Sequence, residues 1–128
     1  MNYQRRLNPV QIEQAAEQRQ REHAAPRLQR ELPALVSLRL TFDDLRPHDG
    51  IGSVSYAKPI VVATAPSHFE IRCAEPRCDG RHDLTAAIVN ALRAGLPSKS
   101  GQSACSGYVG DLSCDRTLSY GYQATYRS

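Results

Sequence analysis

The chain has 128 residues, 41% of them hydrophobic, and its 16 Lys and Arg against 13 Asp and Glu leave a net charge of +3. That length makes one folded unit plus a tail, and no apolar run approaches the roughly 18 residues of a membrane span. A charge this small, carried by scattered arginines rather than a lysine block, permits an anionic partner without demanding one.

The start, Met-Asn-Tyr-Gln-Arg-Arg, is not an apolar leader. The expected compartment is therefore the cytoplasm, where thiols stay reduced. Asn8-Pro9-Val10-Gln11 predicts a helix start: Asn caps, Pro suits the first helical position, and Gln reaches back to the cap. Leu7 and Ile12 stand where a hydrophobic staple would pack. The helix should run to about Ala25, because Pro26 disfavours helical geometry before it. Beyond Val10 and Ile12 only Ala15, Ala16, Ala24 and Ala25 interrupt a surface of Gln, Glu and Arg. So thin a stripe buries little area. The expectation is an N-terminal helical arm over residues 1–33 that either stands in solvent or binds a partner, ahead of a folded domain over residues 34–128.

A short turn with Leu28 and Leu32 leads into Ala34–Asp43, where Val36, Leu38, Leu40 and Phe42 alternate with Ser37, Arg39, Thr41 and Asp43. Period two predicts a half-buried strand. Pro47, Gly50 and Gly52 mark a loop from Asp44 to Ser53. Val54–Tyr56 and Ile60–Ala63 predict short strands broken by Pro59, which suits a sheet edge. His68–Cys73 alternates again, with Phe69, Ile71 and Cys73 on the inner face and His68, Glu70 and Arg72 on the outer.

Asp83 then caps a helix whose Leu84, Ala87, Ile88, Ala91 and Leu92 follow i, i+3, i+4, i+7, i+8, with Gly95 and Pro97 as stop signals. Ser98–Ser103 reads as small, polar and mobile. A last hairpin is expected, with arms at Ala104–Val109 and Thr117–Arg127. No internal repeat is evident. Together these elements predict an α+β fold: a mainly antiparallel sheet, one packed helix, a zinc-knuckle-like cysteine site and the arm outside.

All four cysteines fall between positions 73 and 114. Cys73 and Cys78 have four residues between them, on a turn closed by Gly80; Cys105 and Cys114 have eight, enough for an intervening hairpin. Two such pairs meet a tetrahedral zinc ion's need for four soft ligands, each pair set on a local turn. The layout resembles the ligand layout of zinc-ribbon and treble-clef modules, over less than half of the chain and with a wider second spacing. Three cysteines with His82, and free or disulfide-linked cysteines, are the alternatives. Four thiolates would close the site, leaving zinc as a structural cofactor.

A catalytic zinc would need an open position and a general base. Neither a His-Glu-x-x-His helix nor a complete deaminase pattern occurs, and Glu75-Pro76-Arg77-Cys78 matches only a fragment of the latter. No phosphate loop or nucleophile elbow appears either. Tyr120, Tyr122 and Tyr126 share one face of the last strand, where they either fill the core or stack unpaired bases. Arg39, Arg72, Arg127, Gln123 and Thr125 would lie on the wet face, extended by Arg77 and Arg81 on the knuckle.

The expected function is a non-catalytic, zinc-binding regulatory or accessory protein that binds nucleic acid or a nucleoprotein complex. Its candidate contacts are Arg72, Arg77, Arg81, Arg127, Arg5 and Arg6. The alternatives are a protein-interaction module that docks through the arm, and a small metal-dependent hydrolase or nuclease built on His48, His68 or His82.

Overall fold

The structure, a computed structural model, describes residues 9–45, 54–73, 78–114 and 116–127. In chain order the elements are α1 (Pro9–Ala24), α2 (Leu28–Glu31), β1 (Leu35–Leu45), β2 (Val54–Ile60), β3 (Glu70–Arg72), β4 (Arg81–Asp83), α3 (Thr85–Arg93), β5 (Ser98–Ala104), β6 (Tyr108–Val109), β7 (Leu112–Ser113) and β8 (Thr117–Tyr126). The fold is α+β. Four strands form one antiparallel sheet in the order β2-β1-β8-β5, while β3–β4 and β6–β7 are separate two-stranded ribbons. Among the described residues no helix is long and apolar enough to cross a membrane.

The core lies on one face of the four-stranded sheet. Leu38, Leu40 and Phe42 of β1 point into it, as do Leu118, Tyr120, Tyr122 and Ala124 of β8, all 8% exposed or less. Helix α3 closes the layer with Ile88 and Leu92. The tyrosine row is therefore mainly core, since Tyr120 and Tyr122 are buried and Tyr126 packs at the margin. Each fully buried Leu, Ile or Phe contributes roughly 1.5–3 kcal/mol by leaving water.

Helix α3 begins and ends as its residues dictate. The cap position falls on Leu84, which makes no side-chain cap bond, and Asp83 one residue earlier accepts the first helical amide, that of Thr85, at 3.1 Å. Gly95, at φ +74, lets its own amide reach Leu92 O and the Leu96 amide reach Ala91 O, the paired bonds of a Schellman stop.

Several expectations are corrected. Val36 does not share the inner face: the β1–β8 register shifts between Leu35 and Ser37, and Val36 is the extra residue, 53% exposed. Pro59 does not break β2, which runs unbroken along the sheet edge where a missing amide costs no ladder bond. Ser98–Ser103 is not a loose segment but most of β5, paired residue for residue with β8. It lacks the apolar alternation of a strand because β8 covers it: Tyr120 lies so close over Gly101 that a Cβ there would stand 2.7 Å from the phenol oxygen. In the His68–Cys73 segment, Glu70 turns inward, with 1% of its side chain exposed.

Helix α1 also differs from a free arm. Pro26 ends it, and Arg27 Nη2 donates to the freed carbonyls of Glu22 and Ala25, each at 3.0 Å. The turn into α2 then places Leu28 and Leu32 in the main core. Along α1 the contacts with the rest of the chain are polar. Gln14 Nε2 donates to Asp79 O, Gln18 Nε2 to Glu70 O, and Arg21 forks onto both Glu70 oxygens at 2.8 Å. These positions are spaced i, i+4, i+7, so one polar stripe does the docking that an apolar stripe does elsewhere.

Candidate metal centre

Strand β3 runs into Cys73, and Cys78 with Gly80 leads into β4, so the first cysteine pair sits at one end of a short ribbon. The second pair brackets the other ribbon: Cys105 follows β5, and Cys114 follows β7. Backbone bonds fix both. Cys73 N donates to Gly80 O, and Cys114 N donates to Gly107 O.

The four thiols converge, with all Sγ atoms within 4.8 Å of one another. Cys78 Sγ lies 3.5 Å from Cys105 Sγ, and Cys73 Sγ lies 3.7 Å from Cys114 Sγ. A disulfide holds sulfurs about 2.05 Å apart, whereas a tetrahedron of thiolates about 2.3 Å from a zinc ion has edges near 3.8 Å. The donor set fits the second geometry.

The two halves repeat one local structure. In Cys78-Asp79-Gly80 the glycine amide donates to Cys78 Sγ at 3.3 Å; in Cys105-Ser106-Gly107 the glycine amide donates to Cys105 Sγ at 3.4 Å. Asp79 joins them, since its Oδ1 accepts the Tyr108 amide at 2.9 Å while its backbone oxygen accepts Gln14 from α1. The repeated Cys-x-Gly is the signal that locates these contacts in the sequence.

Amides aimed at sulfur favour thiolate, and burial opposes it. Burial pushes the Cys78 thiol up to about 12 against the pull of the Gly80 amide. At Cys114 burial also acts upward, but the Arg116 amide and the neighbouring sulfurs outweigh it and hold the thiol below its ordinary value. A divalent cation among the four sulfurs would reverse the burial cost, because it supplies the charge that a thiolate lacks in an apolar setting.

Neither histidine described near this region joins the cluster. His82, the alternative ligand, is 2% exposed with Nδ1 3.0 Å from Ser103 Oγ. His68 Nε2 pairs with Glu70 Oε1 at 2.9 Å. Among the described residues, the four cysteines are the group of potential ligands that comes together. His48 and the candidate contacts Arg5, Arg6 and Arg77 lie outside the described residues.

The remaining arginines divide between two surfaces. Arg39 and Arg127 are exposed on or beside the four-stranded sheet, with Gln123 and Thr125. Arg72 and Arg81 stand opposite each other across β3–β4. Both line a cleft of about 330 Å³ between α1 and the two cysteine turns, with Tyr108, Arg21, Glu17, Glu70 and Asp79. Arg21 and Glu70 neutralise one another. The aromatic that sequence reasoning missed is Tyr108, 55% exposed on the β6–β7 hairpin. No family model matches the chain, and no curated protein or solved structure is significantly similar to it.

Proposed function

We propose that the protein is a non-catalytic binding protein in which Cys73, Cys78, Cys105 and Cys114 hold one structural zinc ion. The observation that carries this reading is the convergence of the four thiols within 4.8 Å on two turns of the same Cys-x-Gly design. Four thiolates complete a tetrahedral shell, so the ion has no position left for substrate or water. Its role is then to fasten two ribbons that are too short to hold themselves together. A reducing compartment such as the cytoplasm keeps the thiols available for it.

The partner on this reading is a nucleic acid or a nucleoprotein complex at the cleft beside the metal. What supports it is that Arg72 and Arg81 stand opposite each other across β3–β4 and line the same cleft, where they could contact a phosphate. Tyr108 beside them offers a ring to an unpaired base. A second reading, a protein partner on α1, is favoured by Ile12, an apolar side chain that stays 55% exposed on the solvent-facing part of that helix.

Metal content per chain, measured by mass spectrometry on protein purified without added metal, tests the first statement. One zinc per chain is expected, with four thiols reacting only after chelation and denaturation; no metal and four freely reactive thiols would overturn it. Filter binding of single- and double-stranded DNA and RNA at low salt tests the partner. Retention that weakens with salt is expected, and background retention of all of them would remove the nucleic-acid reading.

A further inference from the structure

The four cysteines are chemically two pairs. Cys78 and Cys105 are the inner pair, 7% and 8% exposed. Each receives a glycine amide, and Gly80 and Gly107 lie against one another beside them, shutting off approach from that side. Cys73 and Cys114 form the outer pair. Both are only half-buried, and their sulfurs lie 3.7 Å apart. Their backbones are held by bonds to Gly80 and Gly107, so the two thiols stay facing each other although 41 positions separate them in the chain.

Resting on the zinc reading above, we propose that Cys73 and Cys114 are an oxidation site: a peroxide converts this pair to a disulfide and the metal leaves, while Cys78 and Cys105 remain as thiols. In the first step one outer thiolate attacks the peroxide; an S–O bond forms, the O–O bond breaks, and one proton is taken up as water leaves. In the second step the other outer thiolate attacks that sulfenic sulfur; the S–S bond forms, the S–O bond breaks, and a second proton is taken up as a second water leaves. Two electrons pass from the two sulfurs to the peroxide, and zinc departs as the divalent ion, unchanged in oxidation state. With two of its four ligands joined to each other, the ion keeps only the inner pair, short of a closed structural site.

Accessibility sets the order. An oxidant must reach a sulfur along an open line, and oxidation follows thiolate character together with exposure. The inner cysteines are buried with Gly80 and Gly107 packed beside them, whereas the outer two are only half-buried and their sulfurs already face each other. A thiol reductant followed by zinc should restore the starting state, which makes the site a reversible sensor of peroxide.

The test treats the full-length, metal-loaded protein with hydrogen peroxide, follows metal release with a chromogenic chelator, and maps disulfides after alkylation. Loss of the metal in step with a Cys73–Cys114 disulfide is expected, with Cys78 and Cys105 recovered as alkylated thiols. Release with a Cys78–Cys105 or scrambled disulfide would overturn the proposal, and so would no release while free glutathione in the same tube is oxidised. The disulfide map of the unaltered chain, read together with metal release, decides without a variant, because replacing either outer cysteine would itself remove a proposed zinc ligand. A chain that carries no metal before treatment overturns the zinc reading instead, and the same map still settles which pair oxidises first.

Discussion

Gly80 and Gly107 pack backbone against backbone: a Cβ on Gly80 would stand 2.8 Å from Gly107 N and 2.9 Å from its Cα. A Cβ on Gly107 would in turn meet the Gly80 backbone and come within 2.8 Å of Asp79 Oδ1. Neither glycine has a positive φ, so both are required for space and not for backbone freedom. The two cysteine turns can close only if both side chains are absent.

Gly107→Ala should therefore destabilise the protein by overpacking, about 1–3 kcal/mol, and weaken zinc binding, because the turns that carry Cys78 and Cys105 are pushed apart. Gly110→Ala is the contrast. Gly110 has φ +62 and nothing within 4 Å of the added carbon, so its cost is the left-handed strain alone, about 1–2 kcal/mol. Urea melts should show both variants destabilised, with loss of metal confined to Gly107→Ala. Equal metal affinity in both would show that the glycine contact does not shape the site.

How much of this was legible in the sequence depended on whether a residue's partner was close in the chain or periodic in it. Helix α3 was readable from Asp83 to Gly95 because capping, stripe and stop are all local. The cysteine set was readable because thiols have few other uses in such spacing. Strand β5 was not, since what makes Ser98–Ala104 a strand is the β8 backbone beside it and the ring of Tyr120 over Gly101. Glu70 and α1 were misjudged together. An outward carboxylate and a helix with no apolar stripe both look solvated until Gln18 and Arg21 are seen to meet Glu70 across 52 and 49 positions.

That pairing predicts an acid limb in stability. Burial alone would raise the Glu70 carboxyl, but the hydrogen bonds from Arg21 and His68 prevail and hold it at about 2, against an ordinary 4.5. A carboxyl whose value is depressed on folding contributes stability above its unfolded value, and that contribution fades as pH falls from 4.5 towards 2. Glu70→Gln should cost about 1–3 kcal/mol near neutrality by removing a charged acceptor from Arg21, and should flatten the curve of stability against pH over that window. Denaturant melts of both proteins across the acid range check it; parallel curves would show that Glu70 titrates alike in both states.

Removal of the metal should reach helix α1. Gln14 binds the backbone oxygen of Asp79, which sits between Cys78 and Gly80, so one of the helix's three polar anchors depends on the shape of the cysteine turn. With the turn relaxed, Gln18 and Arg21 still hold the C-terminal half through Glu70. Chelation is thus expected to speed amide exchange around Gln14 while leaving protection near Arg21 largely intact. Uniform loss of protection along α1 would mean that the helix docks as one unit, independent of where its anchors lie.

The alkaline side has its own reporter in Tyr122. Its hydroxyl donates to Leu96 O at 2.9 Å, and Tyr126 donates to the same oxygen at 2.7 Å. Burial first, and then the interaction with Tyr126, push the Tyr122 phenol up to about 12 from an ordinary 10. An acid whose value rises on folding holds its proton longer in the native state than in the unfolded chain. The stability this gives is complete below 10 and is lost as pH rises towards 12. Tyr122→Phe should cost only about 0.5–1.5 kcal/mol near neutrality, because Leu96 O keeps the bond from Tyr126. Above pH 10 the penalty should shrink, since the variant has no phenol to ionise there. A difference between variant and parent that stays constant across the alkaline range would show that Tyr122 is as free to ionise in the folded protein as in the unfolded one.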